Sequence, residues 1–559
     1  MPPLSALLRS RLSETRDLAK GLIPITKAGI VAPMRPDRLG KLAAAWYRFD
    51  FTPGGLIAFA ARRNPDHLAV IDDAGSMTYG ELDETSEALA RSLSAKGVTA
   101  GDRIGVLARN HRGFLQLIGA SARLGTDLVM LNTGASSGQL GEVIREQKIR
   151  WLFLDEEFTE TLPEDLGDVS VALSWTETVK TALRNGWTTQ DQLINKAPDT
   201  ESPQAKLPGR PRRGKTIVLT SGTTGTPKGA RRPEPRSWMP ASALLSRFPL
   251  KSKEVSFIAA PIFHTWGFAT IQINLALRST LVLQRKFSPK DTLRLVAKHK
   301  AASLFLVPTM LHRIIDLPAE DRKVDLSALR VVAASGSAIP TGLVKRTLSE
   351  LGPVLYNLYG STEVSWAAIA TPEELLEHPT TAGRAPLGTV VKILDDDGNE
   401  APTGEIGNIF VGNGMIFEGY TRDGEDRHRH GNLMSTGDLG HFNDEGLLFI
   451  DGRSDDMIVS GGENIYPREV ENVLSELDGV LEAAVIGVDD DSFGKRLAAY
   501  VVRKDGDAGN ELTEDDVKTH VKQKLARFSV PRDVVFLDEL PRNATGKVVP
   551  RELPDPDNN

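Results

Sequence analysis

The sequence predicts an α/β fold, with a large N-terminal domain of α/β subdomains whose helices pack on sheets and a small α+β domain after it. Two observations predict it. Between Ile217 and Glu363 short apolar runs recur, each closing in a small or polar cluster, and amphipathic stretches such as Asp291 to Lys300 lie between some of them. Near Arg453 a second organisation begins, turn-rich at first and then helical and strand-like over about the length of a small domain. A chain of 559 residues also exceeds the span over which one hydrophobic core keeps growing. The expected division is an arm at 1–50, a main domain at 51–452 and a C-terminal domain at 453–559.

Taken in order, the arm carries nine Lys or Arg through Arg48 against Glu14, Asp17 and Asp37, with Leu4, Leu7, Leu8 and Leu12 at helical spacing. It reads as a segment packed on the main body, with a helix lying on an anionic bilayer as the alternative. Thr78 and Glu81 form a capping box for a helix whose Leu82, Leu89 and Leu93 share a face and which stops at Gly97. Lys196 to Lys215, Pro-rich and without apolar periodicity, is a surface connection. The runs at 217–222, 255–264, 302–309, 329–337 and 354–363 are expected as buried strands, and ligands gather where such strands end. Beyond the turn-rich 451–467, Pro467 opens a helix striped by Val470, Val473, Leu474 and Leu477 that ends before Gly479. The runs 483–488 and 497–502 follow, and another helical pattern covers Val517 to Leu525.

Composition removes several classes of function. A net charge of -7 gives no general attraction to a polyanion, so nucleic acid is not an expected partner. With no cysteine there is no disulfide framework, thiolate-held cluster, cysteine nucleophile or cysteine zinc site. No run of about 18 apolar residues and no signal-peptide order occur, so the expected location is cytoplasmic, with the inner membrane face as the place where the arm would touch lipid.

The most informative segment is TSGTTGTPKG, Thr220 to Gly229, directly after a strand pattern. Its three glycines let backbone amides approach a polyphosphate, its five hydroxyl residues add donors, and Lys228 adds positive charge, a composition suited to ATP. With this loop the chain resembles, over most of its length from about Phe51 onward, the adenylate-forming superfamily of acyl-CoA synthetases, luciferases and nonribosomal-peptide adenylation domains. The resemblance runs on through YGSTE (359–363), the STGD of Ser435 to Asp438, GRSDDMIVSGGENIYP (452–467) and PRNATGK (541–547), in the family's order.

The resemblance implies a role for each piece. Thr220, Ser221, Gly222, Thr223, Thr224, Gly225 and Lys228 would hold ATP phosphates. Ser335, Gly336 and Ser337 would meet the purine edge, and Tyr359, Gly360 and Ser361 would lie by the adenine. Thr362 would donate to a phosphate and Glu363 would help hold Mg²⁺. Asp438 would accept from the ribose hydroxyls with Arg453 beside it; without the family pattern, such an Asp reads as a cap. His264 matches a position beside the substrate carboxylate, its alternative being a satisfied strand-end residue. Lys547 would contact the acyl carboxylate and the α-phosphate. A mobile C-terminal domain would swing about Asp455, bringing Gly461 and Gly462 to the pantetheine channel and Phe493 to the coenzyme A adenine. The implied reaction joins a carboxylic acid to coenzyme A through an acyl-adenylate, with ATP and Mg²⁺ required.

Within that family, FHTWGF (263–268) resembles fatty acyl-CoA synthetases, so a fatty acid is the expected substrate. Twelve residues follow Lys547, which suggests a free-standing ligase, with a carrier protein as the alternative acceptor, an oxidative luciferase as another branch and a homodimer as an expected assembly. One departure is that ARRPEPRS follows Lys228-Gly229, where many relatives start a helix. Two further motifs match by pattern alone. GRPRRGKT (209–216) fits the Walker A expression but follows a Pro-rich linker and leads into a strand. GASSG (134–138) fits a nucleophile elbow and makes a hydrolase using Ser136 the rival reading, against a plain helix cap. His428 and His430 read as part of a solvated loop.

Overall fold

The structure is a computed structural model that describes residues 20–33, 36–177, 185–199, 202–220, 228–235, 237–421, 428–454, 456–460, 463–490, 494–543 and 546–558. Two large sheets form the body of the main domain. One has eight strands, in the order Ala368–Ala370, Leu355–Tyr359, Val331–Ala334, Ser303–Leu306, Val255–Ile258, Thr280–Leu283, Leu68–Asp72 and Gly75–Thr78. It is parallel throughout except at its two edges. The other has seven, with Thr216–Thr220 parallel to Asp127–Met130 and antiparallel to Lys228–Arg232. A core common to both sheets includes Phe114, Leu89, Ile57 and Ile271, so the helices Tyr79–Ala95, Arg112–Leu124, Pro53–Arg63 and Thr265–Leu277 pack between them.

All five expected runs contain strands, four in the eight-stranded sheet and one, Thr216–Thr220, in its neighbour. The run 255–264 makes only the strand Val255–Ile258, because Pro261 has no N–H for the ladder and the chain turns into the helix Thr265–Leu277. Helix ends follow their caps. Thr78 and Glu81 make the expected reciprocal box, and Gly97 takes the left-handed turn after that helix at φ 80°. Ser288 starts its helix at Pro289 and Thr513 starts another at Glu514, each a little before the apolar stripe begins.

A six-stranded antiparallel sheet adjoins these two, and its strands Leu433–Phe442 and Leu448–Arg453 pair Asp438 with Arg453. The small C-terminal domain has its own sheet, a hairpin of Val480–Asp490 and Gly494–Arg503 with Asp533–Leu537 parallel at its side. The helices Pro467–Leu474 and Glu514–Lys524 cover it through Val470, Leu474, Val517 and Val521.

Of the arm, residues 20–27 and Pro36–Phe49 are helical and Ile25, Ala28, Ala45 and Phe49 are buried, so the described part lies on the main body; Leu4, Leu7, Leu8 and Leu12 fall outside the described residues. No helix among the described residues is long and apolar enough to cross a membrane.

Candidate active site

Parallel strands end on a common edge, and the ends of Val255–Ile258, Ser303–Leu306, Val331–Ala334 and Leu355–Tyr359 deliver four polar groups there: His264, Thr309, Ser335–Ser337 and Tyr359–Glu363. Gly360 has to be glycine, since a Cβ would come within 2.4 Å of the Ser365 carbonyl oxygen. Gly336 takes φ 105°, which lets the chain turn sharply behind the buried Ser335. The hairpin Thr216–Thr220 and Lys228–Arg232 brackets the phosphate-loop motif; Ser221, Gly222, Thr223, Thr224 and Gly225 lie outside the described residues.

Tyr359 and Asp438 come from different sheets and meet: the Tyr359 hydroxyl donates to Asp438 Oδ2 at 2.5 Å. Burial and then the Asp438 charge hold the Tyr359 hydroxyl well above its usual range, so it stays a donor. Arg453 Nη1 stands 3.6 Å from Asp438 Oδ1. Asp438 therefore sits mid-strand between a phenol and a guanidinium, which corrects its alternative reading as a cap before a loop. Thr362 shares a hydrogen bond with Thr265, Oγ1 to Oγ1, at 3.0 Å, and Glu363, 6% exposed, accepts from the Tyr420 hydroxyl at 2.7 Å.

His264 precedes the helix Thr265–Leu277 without capping it, and its buried Nε2 has no hydrogen-bond partner among the described residues. That corrects the reading of His264 as a satisfied strand-end residue. Burial and then the charge of Lys547 bring its imidazole down to about 4, which keeps it neutral at neutral pH. Lys547 thus lies close enough to act on His264 although 283 positions separate them in the sequence. Its turn is tight: Asn543 and Lys547 bond through their backbones, and Gly546, at φ 79°, packs so closely on Thr309 that a Cβ would meet Thr309 Oγ1 at 2.5 Å.

Two groupings of residues are visible only in the fold. After Lys228-Gly229 the chain continues as strand to Arg232, whose buried guanidinium donates to the Thr362 carbonyl at 3.0 Å. Burial lowers Arg232 to about 10, opposed by Glu234 and Glu363, and burial raises Glu234 to about 7. The other group joins the two domains. Glu482 of the small domain takes His312 of the main domain at 3.2 Å and Arg542 at 2.8 Å, and Arg542 Nη1 donates to the carbonyl of Gly546, beside Lys547, at 2.6 Å. A charged residue in a strand beside the phosphate loop was the available signal for the first; the second pairs residues too distant for any local pattern.

Asp455, Gly461, Gly462 and Phe493 lie outside the described residues. GRPRRGKT leads into the strand at Thr216, not into a helix. Ser136 caps the helix Ser137–Glu146 in a reciprocal box with Gln139. His428 and His430 sit edge-on to the Phe410 ring.

Comparison with known proteins gives a consistent picture. A family model described as AMP-binding enzyme matches residues 57–421, and one described as AMP-binding enzyme C-terminal domain matches 469–547. An indoleacetate–CoA ligase of Aromatoleum aromaticum is 31% identical over 497 residues, spanning 87% of this chain and 94% of its own. A fatty acid–[acyl-carrier-protein] ligase of Streptomyces coeruleorubidus is 29% identical over 514 residues, spanning 89% and 95%. The o-succinylbenzoate CoA synthetase of Bacillus subtilis, solved with its acyl-adenylate intermediate, superposes with a TM-score of 0.73 at 26% identity over 89% of this chain and 98% of its own; it has also been solved with ATP and magnesium ion.

Proposed function

We propose a substrate type and a division of labour for a chain that belongs to the AMP-binding enzyme family and is an ATP-dependent, AMP-forming acid–CoA ligase. The acid's carboxylate oxygen attacks the α-phosphorus of ATP, and pyrophosphate leaves with the electron pair of the broken P–O bond. The thiol of coenzyme A then attacks the acyl carbon, AMP leaves, and the thiol proton passes to solvent. No protein nucleophile is required.

In our reading residues Thr220 to Gly225 and Lys228 hold the phosphates, Ser335 to Ser337 and Tyr359 to Ser361 the adenine, and Asp438 with Arg453 the ribose. Thr362 donates to a phosphate, and Glu363 offers a carboxylate oxygen, the donor type Mg²⁺ prefers. Mg²⁺, when bound, supplies positive charge to the phosphates during displacement. His264 presents neutral Nε2 to the acid's carboxylate, and Lys547 stabilises charge developing on the acyl and α-phosphoryl oxygens. The small domain swings about Asp455 for the second step, bringing Gly461, Gly462 and Phe493 to coenzyme A. The observation that carries this reading is the Lys547 turn, seated on Thr309 within electrostatic reach of His264 at the strand-end edge.

The acid in this reading is apolar and of fatty type, which Phe263, Trp266 and Phe268, all buried next to His264, support. The enzyme works in the cytoplasm and its arm can touch the inner membrane face. A panel of fatty, aryl and amino acids with ATP, Mg²⁺ and coenzyme A, followed by AMP release and thioester mass, tests this. Preference for an amino acid, or thioester formed only on a carrier protein, would overturn the fatty acid–CoA reading. The hydrolase alternative has less support, since the Ser136 hydroxyl caps its own helix.

A further inference from the structure

We propose that residues 20–33 and 36–49 complete the pocket for the acid's apolar tail, so that the arm and the helix Thr265–Leu277 together set how long a tail is accepted. The inference rests on the ligase reading above and extends it to a segment that precedes both family matches, which begin at residue 57 and residue 469.

A cavity of about 390 Å³ lies between arm and main domain, within the size range of small-molecule sites. Ile25, Leu42 and Trp46 of the arm line one side, and Ala269, Ile273 and Ala276 of the helix line another. This is the helix that begins immediately after His264. At a rise of about 1.5 Å per residue, Ala269 and Ala276 lie about 7 Å and about 18 Å beyond His264 along its axis. The wall that this helix gives the cavity therefore begins about 7 Å past His264 and continues away from it. Its inner wall is tied to the same place. Arg232 lines it while donating to the Thr362 carbonyl, Trp366 is four positions beyond Thr362, and Met415 accepts from the Ser365 hydroxyl through its carbonyl.

The arm is a built wall. Arg278 donates to the Gly29 carbonyl at 2.8 Å, Arg63 to those of Ile30 and Ala32, and the Ser252 amide to that of Ala28 at 2.7 Å. Ile25 and Ala28 turn inward, whereas Leu22, Ile23, Leu39 and Trp46 are 42%, 57%, 52% and 57% exposed. Trp46 thus lies at the rim, lining the cavity and facing solvent, where an apolar tail would pass. A chain of methylenes suits this enclosure because its burial is favourable along the whole length and demands no partner for a polar atom.

The test uses the full chain, assayed by AMP release with butanoate, octanoate, dodecanoate and hexadecanoate. Ala276→Trp fills the far end and should lower kcat/KM for hexadecanoate about tenfold or more relative to butanoate. Trp46→Ala changes only an exposed rim residue, so it folds, and should lower the same ratio by about threefold. Equal changes at every chain length in both variants would overturn the proposal. Titration with cis-parinaric acid, without ATP, reads the cavity independently of chemistry. Saturable binding that hexadecanoate displaces and Ala276→Trp weakens is expected; binding indifferent to that substitution, or absent, overturns the proposal. Were no acid to give AMP while parinarate binding still responded, the ligase reading would fall and the tail pocket would stand.

Discussion

Replacing Glu482 by Gln should slow acyl-adenylate formation about tenfold and leave thioester formation from a supplied acyl-adenylate within about twofold. Glu482 is the hinge pin of a clasp: His312 reaches it from the main domain, and Arg542 reaches it from the turn that presents Lys547. Burial alone would raise its carboxyl, but the His312 hydrogen bond and the Arg542 guanidinium outweigh burial and bring it down to about 2. Against an ordinary value of 4.5 that is about 3 kcal/mol in favour of the charged form at 1.36 kcal/mol per pKa unit. With His312 and Arg542 sharing it, the part that spans the domains is about 1.5 kcal/mol, a factor of about ten. The sign follows from the depressed value: the contribution is complete above about pH 4.5 and is lost only as pH falls toward 2. Pyrophosphate exchange measures the first step and stopped-flow thioester formation the second. His312→Ala should behave alike, and the double variant should lose less than the two losses added. Equal slowing of both steps, or additive losses, would refute the clasp.

Two further outcomes are expected. His264, lowered to about 4 by burial and Lys547, binds its proton later in the folded protein than in the unfolded chain. Stability should thus fall by up to about 3 kcal/mol as pH drops from 6.5 toward 4, and His264→Gln should remove that part of the loss in urea melts at pH 7 and pH 4.5. Ser136→Ala should cost about 1 kcal/mol of stability through the lost cap and keep its ligase activity, with no fluorophosphonate labelling of the wild-type serine; labelling, or loss of thioester formation in a folded variant, would revive the hydrolase.

What was legible in the sequence was local. Thr78 with Glu81, Pro467 ahead of its apolar stripe and the apolar runs at 329–337 and 354–363 each state their conformation within a few residues, and they form a capped helix, a second helix and the strands Val331–Ala334 and Leu355–Tyr359. The motifs also named Tyr359 and Asp438, which meet, and His264 and Lys547, which come within electrostatic reach of each other. Their pairings were not legible, because Tyr359 with Asp438 and His312 with Glu482 join different sheets or domains over 79 and 170 positions. Arg232 was hidden for another reason: its segment departs from the family's helix start, and only the fold reveals a buried guanidinium holding the Thr362 carbonyl. The arm's leucine pattern falls outside the described residues, and nothing in its sequence showed the cavity that residues 20–33 and 36–49 help enclose, since a cavity belongs to two surfaces at once.

In the proposed mechanism Lys547 serves the first chemical step from a separate domain, and Lys547→Ala, measured on both half-reactions, is the decisive variant. Adenylate formation should collapse by about a hundredfold or more while a supplied acyl-adenylate is still converted to thioester at near the wild-type rate. Equal loss in the two steps, or full adenylation without the lysine, would contradict it.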